Sequence, residues 1–171
     1  MRDRIEALLL QHWQALHRYA LVLTGEAEAA RDLVQQAALN ALSSQAVPPQ
    51  PGLERAWAFK VLRNAWIDLY RRERRSPIVD LDPGLAPTPW YFDDRLLDDL
   101  AVREALGQLD DLYREVVLLV DIQGFRYIEA AEILHVPVGT VMSRLSRSRR
   151  MLLEIIGGNV QALENARRRR S

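Results

Sequence analysis

The stretch from 109 to 156, LDDLYREVVLLVDIQGFRYIEAAEILHVPVGTVMSRLSRSRRMLLEII, most narrows what this chain can fold into. Ile128, Ala131 and Leu134 place an apolar stripe on a short helix. His135 and Val136 interrupt that spacing. Pro137 follows, a residue suited to a helix start because its missing N–H costs nothing there. Val138, Val141, Leu145 and Leu152 then recur on one face of a second helix. The opposite face carries Thr140, Ser143, Arg144, Arg147 and Arg150. Two helices across a tight turn, the second one basic, make a helix-turn-helix pattern. The second helix of such a unit enters the major groove of duplex DNA. Arginine chelates guanine O6 and N7 there, and small hydroxyls reach other base edges or phosphates. Gly139 has no Cβ and lets the helix start lie close to a DNA backbone. An ordinary amphipathic helix with a solvated basic face is the plain alternative, and the short preceding helix and turn favour DNA.

Charge distribution supports this reading. The 171 residues carry 23 basic and 23 acidic side chains, so net charge by itself is silent. Residues 54–75 hold seven basic and three acidic residues, residues 80–115 three basic and ten acidic, and residues 137–150 four basic and none acidic. Two basic islands flanking an acidic stretch fit two DNA-facing modules. A third basic run is Arg167–Arg170.

Other function classes fit poorly. Cysteine is absent, which excludes disulfides and thiolate metal sites. The histidines are His12, His17 and His135, and no carboxylate cluster shares their spacing, so no metal and no cofactor are expected. A phosphoryl-transfer enzyme needs clustered carboxylates to hold metal ions. The aspartates here lie mostly in the Pro-rich linker or in pairs on solvated surfaces, so neither catalysis nor a small-molecule substrate is expected. No signal peptide or membrane span is apparent, and a cytoplasmic protein is expected.

Helical periodicity dominates the rest of the chain, and the expected class is all-α. A first helix over 4–23 turns Ile5, Leu8, Leu9, His12, Leu16, Tyr19 and Leu23 inward, and Thr24 and Gly25 end it. A second, over 26–43, buries Leu33, Val34, Ala37 and Ala41. A Pro-rich loop follows. A third helix, over 54–74, presents Trp57, Val61, Ala65 and Leu69 on one face, extended by Leu62 and Trp66. Trp57 is assigned to the core, and Trp66 fits either core or surface. Pro77, Pro83, Pro87 and Pro89 lie among aspartates in an acidic linker. Helices are expected again at 95–107 and 111–122. The Gly157-Gly158 pair predicts a break and a flexible basic tail. The domain plan is a helical bundle at 1–75, a linker at 76–95, a helix-turn-helix domain at 96–158 and a tail at 159–171.

With these motifs in order, the chain resembles bacterial RNA polymerase sigma factors of the extracytoplasmic-function type, over about residues 5–156. The segment LDDLYREVVLLVDIQGFRYIEAAEILHVPVGTVMSRLSRSRRML looks like region 4, which reads the promoter −35 element. ERAWAFKVLRNAWIDLYRRERR looks like regions 2.3 and 2.4, which engage and melt the −10 element. RYALVLTGEAEAARDLVQQAALNAL looks like regions 2.1 and 2.2. The resemblance implies a region 2 bundle and a region 4 helix-turn-helix joined by the linker. It implies that Arg55, Lys60, Arg63, Asn64, Arg71, Arg72, Arg74 and Arg75 face −10 DNA. The basic residues with Trp57, Trp66 and Tyr70 interleaved suit single-stranded DNA, and the loop from Ser43 to Leu53 matches the segment that captures a flipped base. Asp32, Gln35 and Gln36 correspond to a contact with the β′ clamp of core RNA polymerase; residue chemistry alone makes them a plain exposed face. The implied partners are core polymerase, through the β′ clamp and β flap, promoter DNA and an anti-sigma factor, with the free chain a monomer. Gln36 stands where the family usually has Glu, Met142 where it has Lys or Arg, and Ser146 where it often has His or an aromatic residue. Two rivals are a helix-turn-helix regulator that is no polymerase subunit, and a sigma-like mimic that titrates an anti-sigma factor. The regulator usually needs a dimer or sensor domain. The mimic should lose the arginines at 71–75 and 144–150, which this chain keeps.

Overall fold

A computed structural model describes residues 2–43, 52–75 and 100–168. Within them are seven α-helices and no strand: α1 Arg2–Thr24, α2 Ala27–Ser43, α3 Glu54–Arg75, α4 Leu100–Gly107, α5 Asp111–Val117, α6 Tyr127–Leu134 and α7 Val138–Arg168. A π-helical segment, Leu118–Ile122, continues α5 without a break. The acidic linker, the tip of the Ser43 to Leu53 loop at 44–51 and the expected helix start at 95–99 lie outside the described residues.

Helices α1, α2 and α3 pack pairwise as a three-helix bundle. Gly25 ends α1 with a positive φ of 72°, a conformation glycine adopts without a Cβ penalty. Its N–H donates to the Leu21 carbonyl at 2.8 Å. Ile5, Leu8, Leu9, Leu16 and Tyr19 from α1 and Leu33, Val34, Ala37 and Ala41 from α2 are buried as their spacing requires, whereas His12 is only half-buried.

The buried face of α3 differs from the expected one. Ala58, Phe59, Leu62 and Ala65 are buried, Trp57, Val61 and Trp66 are half-buried, and Leu69 is 42% exposed. The helix is rotated so that Phe59, not Trp57, enters the core. The small residues at 56, 58 and 65 let α3 approach its neighbours closely, and the bulky indoles stay at the margin.

The second group is built on α7, which packs against α4, α5 and α6. The Ser148 hydroxyl is fully buried, 2.7 Å from the Arg144 carbonyl and 3.2 Å from that of Tyr113, and ties α7 to α5. Arg114 is also buried. Its guanidinium donates to the carbonyls of Leu106 at 3.0 Å and Gly107 at 3.2 Å, where α4 ends. Asp111 pairs with it at 2.9 Å. Three expectations fail in this group. Val138, expected on the apolar stripe of α7, is 37% exposed. Ile128 is 55% exposed, because Ala130, Ala131, Ile133 and Leu134 form the buried face of α6. The Gly157-Gly158 pair does not break α7, whose backbone stays helical to Arg168. Glycine costs about 1 kcal/mol in a helix interior, which a long established helix absorbs.

The two groups share one continuous apolar core. Helix α3 packs on α6, and Phe59 meets Phe125 edge-on with ring centroids 4.8 Å apart. Leu145, 1% exposed, lies deep in the second group. Leu145→Ala is expected to lower stability by about 2–5 kcal/mol through lost burial and a residual cavity, read as a lower urea midpoint at unchanged slope.

Candidate nucleic-acid interface

The turn before α7 positions its solvent face. His135 closes α6 in the left-handed conformation, φ 55° and ψ 42°, and its N–H donates to the Ala131 carbonyl. Pro137 then caps α7, its carbonyl accepting the N–H groups of Thr140 at 2.9 Å and Val141 at 3.3 Å. At the other end of α6, the Glu129 carboxylate reaches back to accept the Arg126 N–H at 2.8 Å. With Val141 and Leu145 turned inward, Ser143, Arg147 and Arg150 are exposed, and Thr140 and Arg144 are half-buried. The Ser143 hydroxyl donates to the Thr140 carbonyl at 3.1 Å. A Cβ on Gly139 would meet nothing within 4 Å, so the helix start is open to a close-lying ligand.

The four arginines here divide by role. Arg149 is held by Asp121 through two hydrogen bonds, at 2.5 and 3.1 Å, and this pairing raises its pKa above the ordinary guanidinium value. Among the described residues, Arg144, Arg147 and Arg150 hold no ion pair. Beside them runs a groove of about 390 Å³ lined by Tyr127, Met142, Leu145, Ser146, Arg149, Arg150 and Leu153. Met142 and Ser146, two of the positions that depart from the family pattern, lie in this groove.

The candidates on α3 do not form one open surface. Arg71 and Arg72 are exposed near its end, and Arg74 and Arg75 follow in its last turn. Arg55, Arg63 and Asn64 instead face the second helical group. The Arg55 guanidinium donates to Gln123 Oε1 at 2.7 Å and lies 4.4 Å from the Phe125 ring centroid. Its burial lowers its pKa. Arg63 Nε donates to Glu115 Oε1 at 2.9 Å, and both side chains are nearly buried. Burial opposes the Arg63 charge, yet the Glu115 carboxylate outweighs it and raises the pKa. The same Glu115 oxygen accepts the Tyr19 hydroxyl at 2.5 Å. Burial, then the neighbouring carboxylate, push the Tyr19 phenol well above its ordinary value, so it stays a donor. Asn64 Oδ1 lies 2.8 Å from His135 Nε2. Lys60 is half-buried nearby.

On α2, Asp32, Gln35 and Gln36 are all exposed, opposite the buried Leu33, Val34 and Ala37. Gln36 Nε2 donates to Asn40 Oδ1 at 2.9 Å, an i to i+4 pair along the helix surface. Sequence reasoning missed Glu115, Gln123 and Phe125, which meet α3 from 52 or more positions away. Nothing local marks them, although Gly124, with a positive φ of 71°, signals the turn that brings Phe125 round.

Comparison with known proteins places this geometry. Residues 8–76 match the family model for sigma-70 region 2, and residues 99–152 match that for sigma-70 region 4. The chain is 34% identical to the ECF RNA polymerase sigma factor EcfG of Rhodopseudomonas palustris over 159 residues, covering 91% of this chain and 87% of the relative. It is 34% identical to the ECF RNA polymerase sigma factor SigL of Mycobacterium tuberculosis, covering 90% of each. Among solved structures, the sigma factor RpoE of Bartonella quintana, in complex with the anti-sigma factor NepR, superposes with a TM-score of 0.66 at 28% identity, covering 92% of this chain and 98% of that one. The chain belongs to the ECF family of RNA polymerase sigma factors.

The packed arrangement carries a pH signature. His135 titrates below its ordinary value of 6.5, through burial first and then through Lys60 and Arg63. His12 is lowered too, by burial and then Arg55. A lowered histidine pKa means that the unfolded chain binds more protons, so stability falls as pH drops through and below 6.5. The urea midpoint should be lower at about pH 5.5 than at about pH 7.5, and His135→Gln should shrink that difference. A full difference retained in the His12→Gln, His135→Gln double variant would assign it to other groups.

Proposed function

We propose that this chain directs core RNA polymerase to its promoters, reading −35 duplex through Thr140, Ser143, Arg144, Arg147 and Arg150. The observation that carries this reading is the α7 face. It presents three arginines without ion pairs among the described residues, on a helix whose start is open, within a chain of the ECF sigma family. Arg55, Lys60, Arg63, Asn64, Arg71, Arg72, Arg74 and Arg75 engage the melted −10 strand through phosphates and unstacked bases. The exposed α2 face with Asp32, Gln35 and Gln36 docks on the β′ clamp. The polymerase performs the chemistry, and this subunit selects where it starts. An anti-sigma factor restrains it, a reading supported by two similar structures: the RpoE complex with NepR, and CnrH with the cytosolic domain of CnrY, 26% identical with a TM-score of 0.64. No helix among the described residues is long and apolar enough to cross a membrane, which accords with work beside the polymerase in the cytoplasm.

The direct test is transcription of fragmented genomic DNA by core polymerase with and without this chain, mapping transcript 5′ ends. New starts that share two spaced motifs establish the activity, and their absence refutes it. At such a promoter, Arg144→Ala and Arg147→Ala should each cost about 1–3 kcal/mol of binding. Arg149→Ala should cost less, because Asp121 already holds that guanidinium. Asp32→Ala with Gln35→Ala should weaken core binding by about 1–2 kcal/mol and leave affinity for the −35 duplex unchanged, checked by titration against labelled core enzyme.

A further inference from the structure

The packed chain treats its two nucleic-acid faces unequally. On α7, Arg147 and Arg150 stand in solvent. On α3, Arg55, Arg63 and Asn64 are engaged by Gln123 ahead of α6, by Glu115 of α5 and by His135 in the turn after α6. We propose that this packing is an intramolecular latch that masks the single-strand-binding face of α3 and leaves the duplex-reading helix free, with Glu115 as its central contact. The proposal rests on the reading of α3 as the −10 face.

The covering groups reproduce what a single strand offers. Protein surfaces that hold single strands provide cations for phosphates and flat partners for unstacked bases. Here the Glu115 carboxylate gives Arg63 an anionic oxygen at 2.9 Å, where a phosphate oxygen would serve. The Phe125 ring gives Arg55 a π face at 4.4 Å, and Gln123 gives it a carbonyl acceptor at 2.7 Å. Asn64 pairs with the His135 ring at 2.8 Å, although both side chains stay exposed. An anion, a π surface and amide-like hydrogen bonding are thus all supplied from within the chain. Phe59 is fully buried and edge-on to Phe125, so a base cannot reach it without displacing that ring. A strand and the α5–α6 group compete for one face, and apparent strand affinity is the intrinsic affinity scaled by the open fraction. The α7 arginines face elsewhere, so duplex affinity is independent of the latch.

The test uses the full chain. It contains no cysteine, so Glu28→Cys on α2 and Glu154→Cys on α7, both exposed, accept a donor–acceptor dye pair that reports separation of the two groups. The latch is weakened from the α5–α6 side only, by Glu115→Gln and separately by the milder Gln123→Ala, with helical circular dichroism checked for each. Probes are a labelled mixed-sequence single strand of about 20 nucleotides and a duplex of the same length. Each variant should lower energy transfer, raise single-strand affinity about tenfold or more, and leave duplex affinity unchanged. Unchanged energy transfer in both variants overturns the latch, and so does opening with no gain in single-strand binding. Arg71→Ala with Arg72→Ala, added to Glu115→Gln, separates the two ideas. Lost single-strand binding there, with no gain from Glu115→Gln alone, keeps the −10 reading and removes the latch. No loss there, nor on adding Arg55→Ala with Arg63→Ala, overturns both.

Discussion

One carboxylate organises the contact between the two halves of this molecule. Glu115 accepts from both Arg63 and Tyr19 while only 7% exposed. Burying a carboxylate and a guanidinium costs several kcal/mol per ion, and such a pair persists only where geometry and further hydrogen bonds offset that cost. Both conditions hold here, since the phenol supplies a second donor and the bond to Arg63, at 2.9 Å, has good geometry. The aromatic groups follow from the same placement. Tyr19 stacks on Phe59 at 5.1 Å, Phe59 meets Phe125, and the Arg55 guanidinium lies over the Phe125 ring. The polar centre sets the register and the rings fill the space around it.

This arrangement gives two basic helices different electrostatic lives. On α7 the apolar stripe and the Ser148 hydroxyl fix the helix and Arg149 with Asp121 braces it, so Arg147 and Arg150 stay exposed. On α3 the same residue type is partly withdrawn from water, and its charge is balanced within the chain. A positively charged helix is therefore not by itself a ligand surface; its counter-charges decide.

Much of the architecture was legible. Thr24 and Gly25 end α1, Pro137 marks the start of α7, and the stripes of α1, His12 aside, and of α2 read correctly, because each signal is local and period-bound. The face of α3 was read in part: Leu62 and Ala65 are buried as expected, but the helix is apolar around much of its circumference, and periodicity centred on Trp57 left out Phe59, which enters the core. Ile128 failed similarly, since a short helix offers too few turns to fix a phase. The α7 surface residues emerge where their spacing puts them. The partners of Arg55 and Arg63 were not legible, because contacts 52 to 68 positions apart leave no trace in local pattern.

The π-helical segment has an evolutionary implication. The Gln123 N–H reaches back five residues, to the Leu118 carbonyl at 2.8 Å, rather than four. Such a turn holds one residue more than an α-helical turn, and one residue corresponds to about 100° of rotation. The azimuth at which Gln123 and Phe125 leave the helix is thus set by the one extra residue in that turn. A turn without that extra residue would aim other side chains at α3, so a change of one residue there alters how the two helical groups meet while the remaining helices, and both basic faces, keep their sequence.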